Sequence, residues 1–315
     1  MKPSFLQAVL ALLILASANT ARAIVFASTG DPSFNTTAPT GFLEGSGWQY
    51  IGNWNGFVGT QISPNQFITS SHVGGSVGGS FTASNGQTFT TLAVARTNDL
   101  AIWTVSGTLP THASIYSGSS EGLLDMVVFG RGIGRGAEVR SPTATDADNL
   151  RGWEWGGPGA LRWGTNRFEF ADSGFVSGST PIGSILAAGF SRNGGANEAT
   201  VASGDSGGAT FVRVGGVWQL AGIVYGVQSA FRTTPSGPTV NAAIFDMGGL
   251  YGSNGSLVAA DATGNIEALF IASRLGADDN QAWILSQVPE PLHHGLASAA
   301  ALLGCAAWIR RRARR

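Results

Sequence analysis

Ser206 stands in the string Ser203-Gly204-Asp205-Ser206-Gly207-Gly208. A serine hydroxyl becomes a useful nucleophile on a tight, exposed turn, beside backbone N–H groups that can receive an oxyanion. Flanking glycines permit unusual backbone angles and leave room for a substrate. Alone, such a string also suits a polar hairpin. A base for the serine occurs upstream. His72 closes the apolar run Gln66-Phe67-Ile68-Thr69-Ser70-Ser71 and precedes a glycine loop. Only one other histidine, His112, lies between residues 24 and 287. An imidazole at the end of a hydrophobic strand is well placed for general-base work. Asp99 enters a second apolar run, Leu100-Ala101-Ile102-Trp103. A buried carboxylate there needs a partner, and an imidazole N–H is one. Nucleophile, base and orienting carboxylate are together the apparatus of covalent acyl transfer.

These groups need a rigid frame, and the chain reads as short strands. Glycine makes up 46 of 315 residues, about twice the usual share of roughly 7%. Candidate strands are Gly56–Ile62, Gln66–Ser71, Thr88–Ala95, Leu100–Val105, Met126–Gly130, Arg162–Phe170, Gly208–Val214 and Trp218–Tyr225. Asn85-Gly86 is a two-residue hairpin signal, since both residues tolerate positive φ. Helical periodicity occurs only late, over Ile266–Leu275 and Asp279–Ser286. The pattern predicts antiparallel sandwiches or barrels and excludes a βαβ protein. Gly130-Arg131-Gly132-Ile133-Gly134 has part of a nucleotide-binding glycine spacing, but no helix follows, so it reads as a turn series. Trp153, Trp155 and Trp163 fit core and loop packing, with a carbohydrate-stacking platform as the alternative.

Taken together, the three segments resemble the chymotrypsin-like serine protease family over residues 24 to 250. That family carries a Thr-Ala-Ala-His strand end, an Asp-Ile-Ala-Leu strand start and Gly-Asp-Ser-Gly-Gly, in this order. Here they are Thr69-Ser70-Ser71-His72, Asp99-Leu100-Ala101-Ile102 and Gly204-Asp205-Ser206-Gly207-Gly208. The resemblance implies two antiparallel six-stranded β-barrels with the active site between them, and a short C-terminal helix. It implies peptide-bond hydrolysis by His72, Asp99 and Ser206, with the N–H groups of Gly204 and Ser206 as oxyanion hole, and no metal or organic cofactor. Trp218 to Val224 looks like the strand beside the specificity pocket, to which Tyr225 and Gly226 would contribute. Thr200 falls at the pocket base, where a hydroxyl favours small or apolar side chains over basic ones. The departures are specific. Val73 replaces the cysteine that usually follows the histidine, only 27 residues separate His72 from Asp99, and Val224-Tyr225-Gly226 stands where Ser-Trp-Gly is usual. Ile24-Val25 looks like the Ile-Val start of activated members, whose freed amino group pairs with the aspartate before the nucleophile, here Asp205. Coincidence is the rival reading, because Ile-Val is a common dipeptide.

Both ends read as addresses. Lys2, the apolar stretch Ala8 to Ala18 and Ala21-Arg22-Ala23 have the form of a cleaved signal peptide over residues 1–23, with Ala16-Ser17-Ala18 a second candidate cut. At the other end, Val288-Pro289-Glu290-Pro291 precedes an apolar run, Leu292 to Ile309, and five arginines. This layout, residues 288–315, resembles the PEP-CTERM sorting tail of bacterial exported proteins. It implies transient insertion of 292–309 into the inner membrane, cytoplasmic arginines and removal by an exosortase-like enzyme. The expected destination is the cell surface or the medium; a permanent anchor is the alternative. The intervening body, 24–287, holds 11 basic and 18 acidic residues, a net charge of −7, and no lysine. Such a body excludes nucleic acid as the partner. The sole cysteine, Cys305, lies in the tail, so the body has no disulfide and no cysteine metal site. Two further function classes stay open: a catalytically silent protease-like binding protein, and a structural component of an extracellular matrix.

Overall fold

The β-branched and aromatic runs of the first half pair with one another through tight turns. In this computed structural model residues 23–288 are described, apart from 144–147, 158, 178–179 and 261–263. After the short β1 (Val25–Phe26) come β2 (Ile51–Trp54), β3 (Phe57–Ser63), β4 (Gln66–Ser70), β5 (Ser80–Thr82), β6 (Thr88–Thr97) and β7 (Leu100–Val105). These six antiparallel strands close into a barrel in the order β2-β3-β4-β7-β6-β5. Closure leaves no unpaired edge. Trp54, Phe67, Phe81 and Trp103 fill its interior without solvent exposure. Phe67 stacks on Phe81 at 4.1 Å, and Trp54 meets Trp103 at 4.7 Å. Burying each such side chain stabilises the barrel by about 1.5–3 kcal/mol.

The second half contains β8 (Asp125–Gly130), β9 (Gly134–Arg140), β10 (Leu150–Gly156), β11 (Arg162–Arg167), β12 (Phe170–Ser177), β13 (Thr180–Ala188) and β14 (Ala199–Thr200). It continues with β15 (Ala209–Val214), β16 (Val217–Val227), β17 (Ala230–Arg232), β18 (Val240–Ile244), β19 (Tyr251–Gly252), β20 (Phe270–Arg274) and α1 (Asp278–Gln287). Seven strands form one sheet, β11-β8-β15-β16-β20-β13-β12, and five form another, β19-β17-β18-β10-β9. Every ladder is antiparallel. The all-β class with one short C-terminal helix is therefore as expected. Ile51, Ile68 and Leu100 of the barrel pack against Phe129, Phe211 and Leu220 of the seven-stranded sheet, so one core joins the halves.

One local expectation needs correcting, and two others are made specific. Residues 266–275 are not helical, because Phe270–Arg274 is β20, paired between β16 and β13. A short apolar strand inside a sheet carries no alternation that would separate it from a helix. The Asn85-Gly86 hairpin exists, but only Gly86 has positive φ, at +84°. The turn is closed further out, by the Ala83 N–H donating to the Gln87 carbonyl at 2.8 Å. Trp153 and Trp163 are buried, so they do not present a stacking platform. Trp153 instead packs on Phe190 and Phe245, with Arg135 over its ring at 3.7 Å. The expected leader up to Arg22 and the tail from Pro289, with its 292–309 segment and Cys305, lie outside the described residues. Among the described residues no helix is long and apolar enough to cross a membrane.

Candidate active site

Strand register brings the first two groups together. β4 and β7 pair with Ser70 opposite Leu100, so the next residues out, Ser71 and Asp99, face each other. The Ser71 N–H donates to the Asp99 carbonyl at 2.7 Å. His72 then sits in a 3-10 turn, Ser71–Val73. Its backbone N–H donates to Asp99 Oδ1 at 3.1 Å. Its Nδ1 lies 3.0 and 2.9 Å from the two carboxylate oxygens. An ionised carboxylate only accepts, so Nδ1 carries the proton and Nε2 is left as the base. Asp99 is 2% exposed, while the His72 side chain is 39% exposed. The carboxylate is thus shielded, and the imidazole reaches solvent.

The Ser206 turn arrives from the other half. Gly204 and Gly207 adopt φ of +89° and +77°, angles that favour glycine. A Cβ on Gly207 would also lie 2.2 Å from Thr69 Oγ1 and 2.7 Å from the Val58 carbonyl. That close approach seats Ser206 beside the strand end that carries His72. The Gly207 N–H donates to the Val224 carbonyl at 2.9 Å, and the Gly208 N–H to the Asp205 carbonyl at 2.9 Å. Among the described residues, the N–H groups of Gly204 and Ser206 donate to no protein acceptor, which leaves both for a ligand oxygen. The following strand residue, Tyr225, meets the His72 ring edge-on at 5.4 Å.

Asp205 anchors this turn from below. It is fully buried and accepts N–H groups from Gly132 at 2.6 Å, Ala202 at 2.8 Å and Ile24 at 3.3 Å. Burial pushes its carboxyl up to about 7, opposed by those three amides and by the charge of Arg162. Arg162 is itself buried. It donates to the Ala23 carbonyl at 3.1 Å and to the Asp31 carbonyl. The glycine string at 130–134 now has a structural reason. A Cβ on Gly132 would lie 2.4 Å from the Ser203 carbonyl and 2.6 Å from the Asp205 nitrogen. Sequence reasoning read it as turns and missed its contact with the Ser203–Ser206 loop. The missed signal was a pair of glycines flanking a single residue at a strand end.

Of the residues expected at the specificity pocket, Tyr225 and Gly226 line a cavity of about 370 Å³, together with Phe170, Phe175, Leu269 and Ile271. Thr200 is elsewhere. It pairs with Val25 across β14 and β1 and is 1% exposed, and among the described residues its hydroxyl has no hydrogen-bond partner. A larger cavity of about 570 Å³ contains none of the triad residues and is lined by Glu169, Glu198, Glu267, Phe42, Met126 and Trp218. Burial raises the Glu198 carboxyl to about 7, with Glu267 and Glu169 adding to the rise and the Ser191 N–H opposing it. Among the described residues no cluster of histidine, cysteine and carboxylate ligands could hold a metal ion.

No protein-family profile and no curated protein matches the chain. Solved structures similar to it include the Rv3671c protease of M. tuberculosis, at 15% identity over 81% of this chain and 99% of that one, with a TM-score of 0.42. The NS6 protease of murine norovirus is similar at 18% identity over 66% of this chain and 94% of that one, with a TM-score of 0.36.

Proposed function

We propose that this chain is an exported serine endopeptidase. The observation that carries the reading is the Nδ1 contact of His72 with both oxygens of the shielded Asp99 carboxylate, on the strand end against which the Ser206 turn packs. In this reading Ser206 Oγ attacks the scissile carbonyl while Nε2 of His72 takes its proton. The tetrahedral oxyanion enters the space before the Gly204 and Ser206 N–H groups, each donor contributing roughly 3–4 kcal/mol to the transition state. His72 then passes the proton to the leaving amine, and a water repeats the sequence on the acyl-enzyme. Asp99 holds the tautomer and balances the imidazolium charge. Residues 1–23 are the export signal and 288–315 the sorting tail, so the body works at the cell surface or beyond it.

A fluorophosphonate probe tests the chemistry directly. Covalent labelling of the 24–287 body, lost in Ser206→Ala, together with cleavage in a peptide library, supports the reading; an unlabelled body rejects it. The second reading, a silent protease-like binding protein, draws on one observation. Among the described residues neither Ser206 Oγ nor His72 Nε2 makes a hydrogen bond. Catalytic contacts of this kind commonly tighten only around substrate, and the same label separates the two.

A further inference from the structure

The barrel and the seven-stranded sheet share no β-ladder, yet His72 belongs to one and Ser206 to the other. Something must fix their relative position to well under an ångström. Ser70 is fully buried at the end of β4, and its hydroxyl donates to the Val224 carbonyl at 2.7 Å. The same carbonyl accepts the Gly207 N–H at 2.9 Å, while the Val224 N–H donates to the Gly208 carbonyl at 2.7 Å. Val224 leads directly into Tyr225, whose ring meets His72. One peptide group therefore collects the strand end two residues before His72, the turn one residue after Ser206, and the strand that carries Tyr225.

We propose that Ser70 is a positioning residue, whose hydroxyl sets the register of His72 against Ser206 through the Val224 carbonyl. This inference rests on the serine-peptidase reading. Deleting the hydroxyl strands no carbonyl, because Gly207 still donates to Val224, so folding should hardly suffer. Geometry should suffer, since a displacement of about 1 Å at reacting groups can cost on the order of 100-fold in rate.

The test compares Ser70→Ala with wild type in an H112Q background, which leaves His72 as the only histidine of the 24–287 body. The expected result is a kcat 10- to 100-fold lower, with KM within twofold. The fluorophosphonate labelling rate should fall in parallel, and the His72 imidazole NMR signal should be shifted or broadened. Should the alanine variant fold poorly, Ser70→Cys keeps the volume with a weak donor and is read on the same measurements. A kcat and labelling rate within twofold of wild type, or an unchanged imidazole signal in a folded variant, overturns the inference. The outcomes separate cleanly. Wild-type protein that neither labels nor hydrolyses defeats the peptidase reading, while the imidazole signal still reports whether Ser70 positions His72.

Discussion

Asp205 and Glu198 are carboxylates held where water cannot solvate them, and their local partners decide what that does. Asp205 has three amides and a nearby guanidinium. Glu198 has one amide, from Ser191 at 3.1 Å, and carboxylate neighbours. Raised to about 7 from 4.5, Glu198 binds its proton more tightly folded than unfolded. Its contribution to stability is therefore intact below about pH 4.5 and is lost as pH rises to about 7, by on the order of 3 kcal/mol. Urea unfolding of Glu198→Gln against wild type should show the variant losing less stability between pH 5 and pH 8; parallel curves would refute this. For the triad, Ser206→Ala and His72→Ala should each abolish hydrolysis with the fold intact, because the groups act as a unit. Asp99→Asn should lose on the order of 10⁴-fold in kcat through the wrong tautomer. Peptide turnover and circular dichroism check both. The contact of His72 with Asp99 was legible because a carboxylate buried at a strand start needs a partner. Gly132, Ser70 and Arg162 were not, since their roles come from partners 60 or more residues away that no local pattern announces.

At the level of elements, the two-residue turn Asn98-Asp99 between β6 and β7 presents the orienting carboxylate. Asn98 has φ of +46°, which an asparagine tolerates better than most residues. Its side-chain amide donates to Asn280 Oδ1 of α1 at 3.3 Å, and the fully buried Asn280 donates in turn to the Arg274 carbonyl at 2.8 Å. The C-terminal helix thus braces the turn that carries Asp99. Asn280→Ala should cost about 1–3 kcal/mol in thermal stability and lower kcat several-fold with little change in KM. A stability loss with undiminished kcat would confine Asn280 to folding. Gly207→Ala is a harsher change, meeting Thr69 Oγ1 at 2.2 Å with an unfavourable φ. It should prevent labelling of Ser206, and full labelling would show that the turn can move away. Strands bounded by short turns, such as Leu100–Val105 between Asn98-Asp99 and Ser106-Gly107, were readable to the residue. β20 was not, because its burial in the middle of a sheet erases alternation.

The molecule as a whole has no cysteine before Cys305, so the body holds its halves together without a disulfide, by burial and by hydrogen bonds such as Ser70 to Val224. The shared core of Ile68, Leu100, Phe129 and Phe211 supplies that joint. The N-terminal segment packs in neighbouring clusters, Ile24 and Phe26 with Met126 and Val212, and Val25 with Trp153 and Phe245. Composition and periodicity predicted antiparallel sandwiches or barrels, but the association of Ile24-Val25 with Asp205 followed only from the family resemblance. A protein beginning at Ile24 would place an ammonium where the amide now donates. It should hold Asp205 ionised to lower pH than a protein that retains earlier residues. The retaining form should therefore lose more stability between pH 5 and pH 8, and be the less active at pH 8. Urea midpoints and turnover of the two forms decide, with equal pH dependence rejecting the pairing.

Ala23 and Ile24 are both wholly enclosed, and the carbonyl that joins them is gripped by Arg162. A bond in that position is out of reach for any hydrolase once the body has closed around it. The proposed maturation cut therefore has a deadline: it happens on the extended chain during translocation, or it never happens. Each molecule would then fix its own terminus permanently at birth, leaving two long-lived populations that do not interconvert. Slowing signal removal in the cell should change their ratio, and holding the folded protein with signal peptidase afterwards should not.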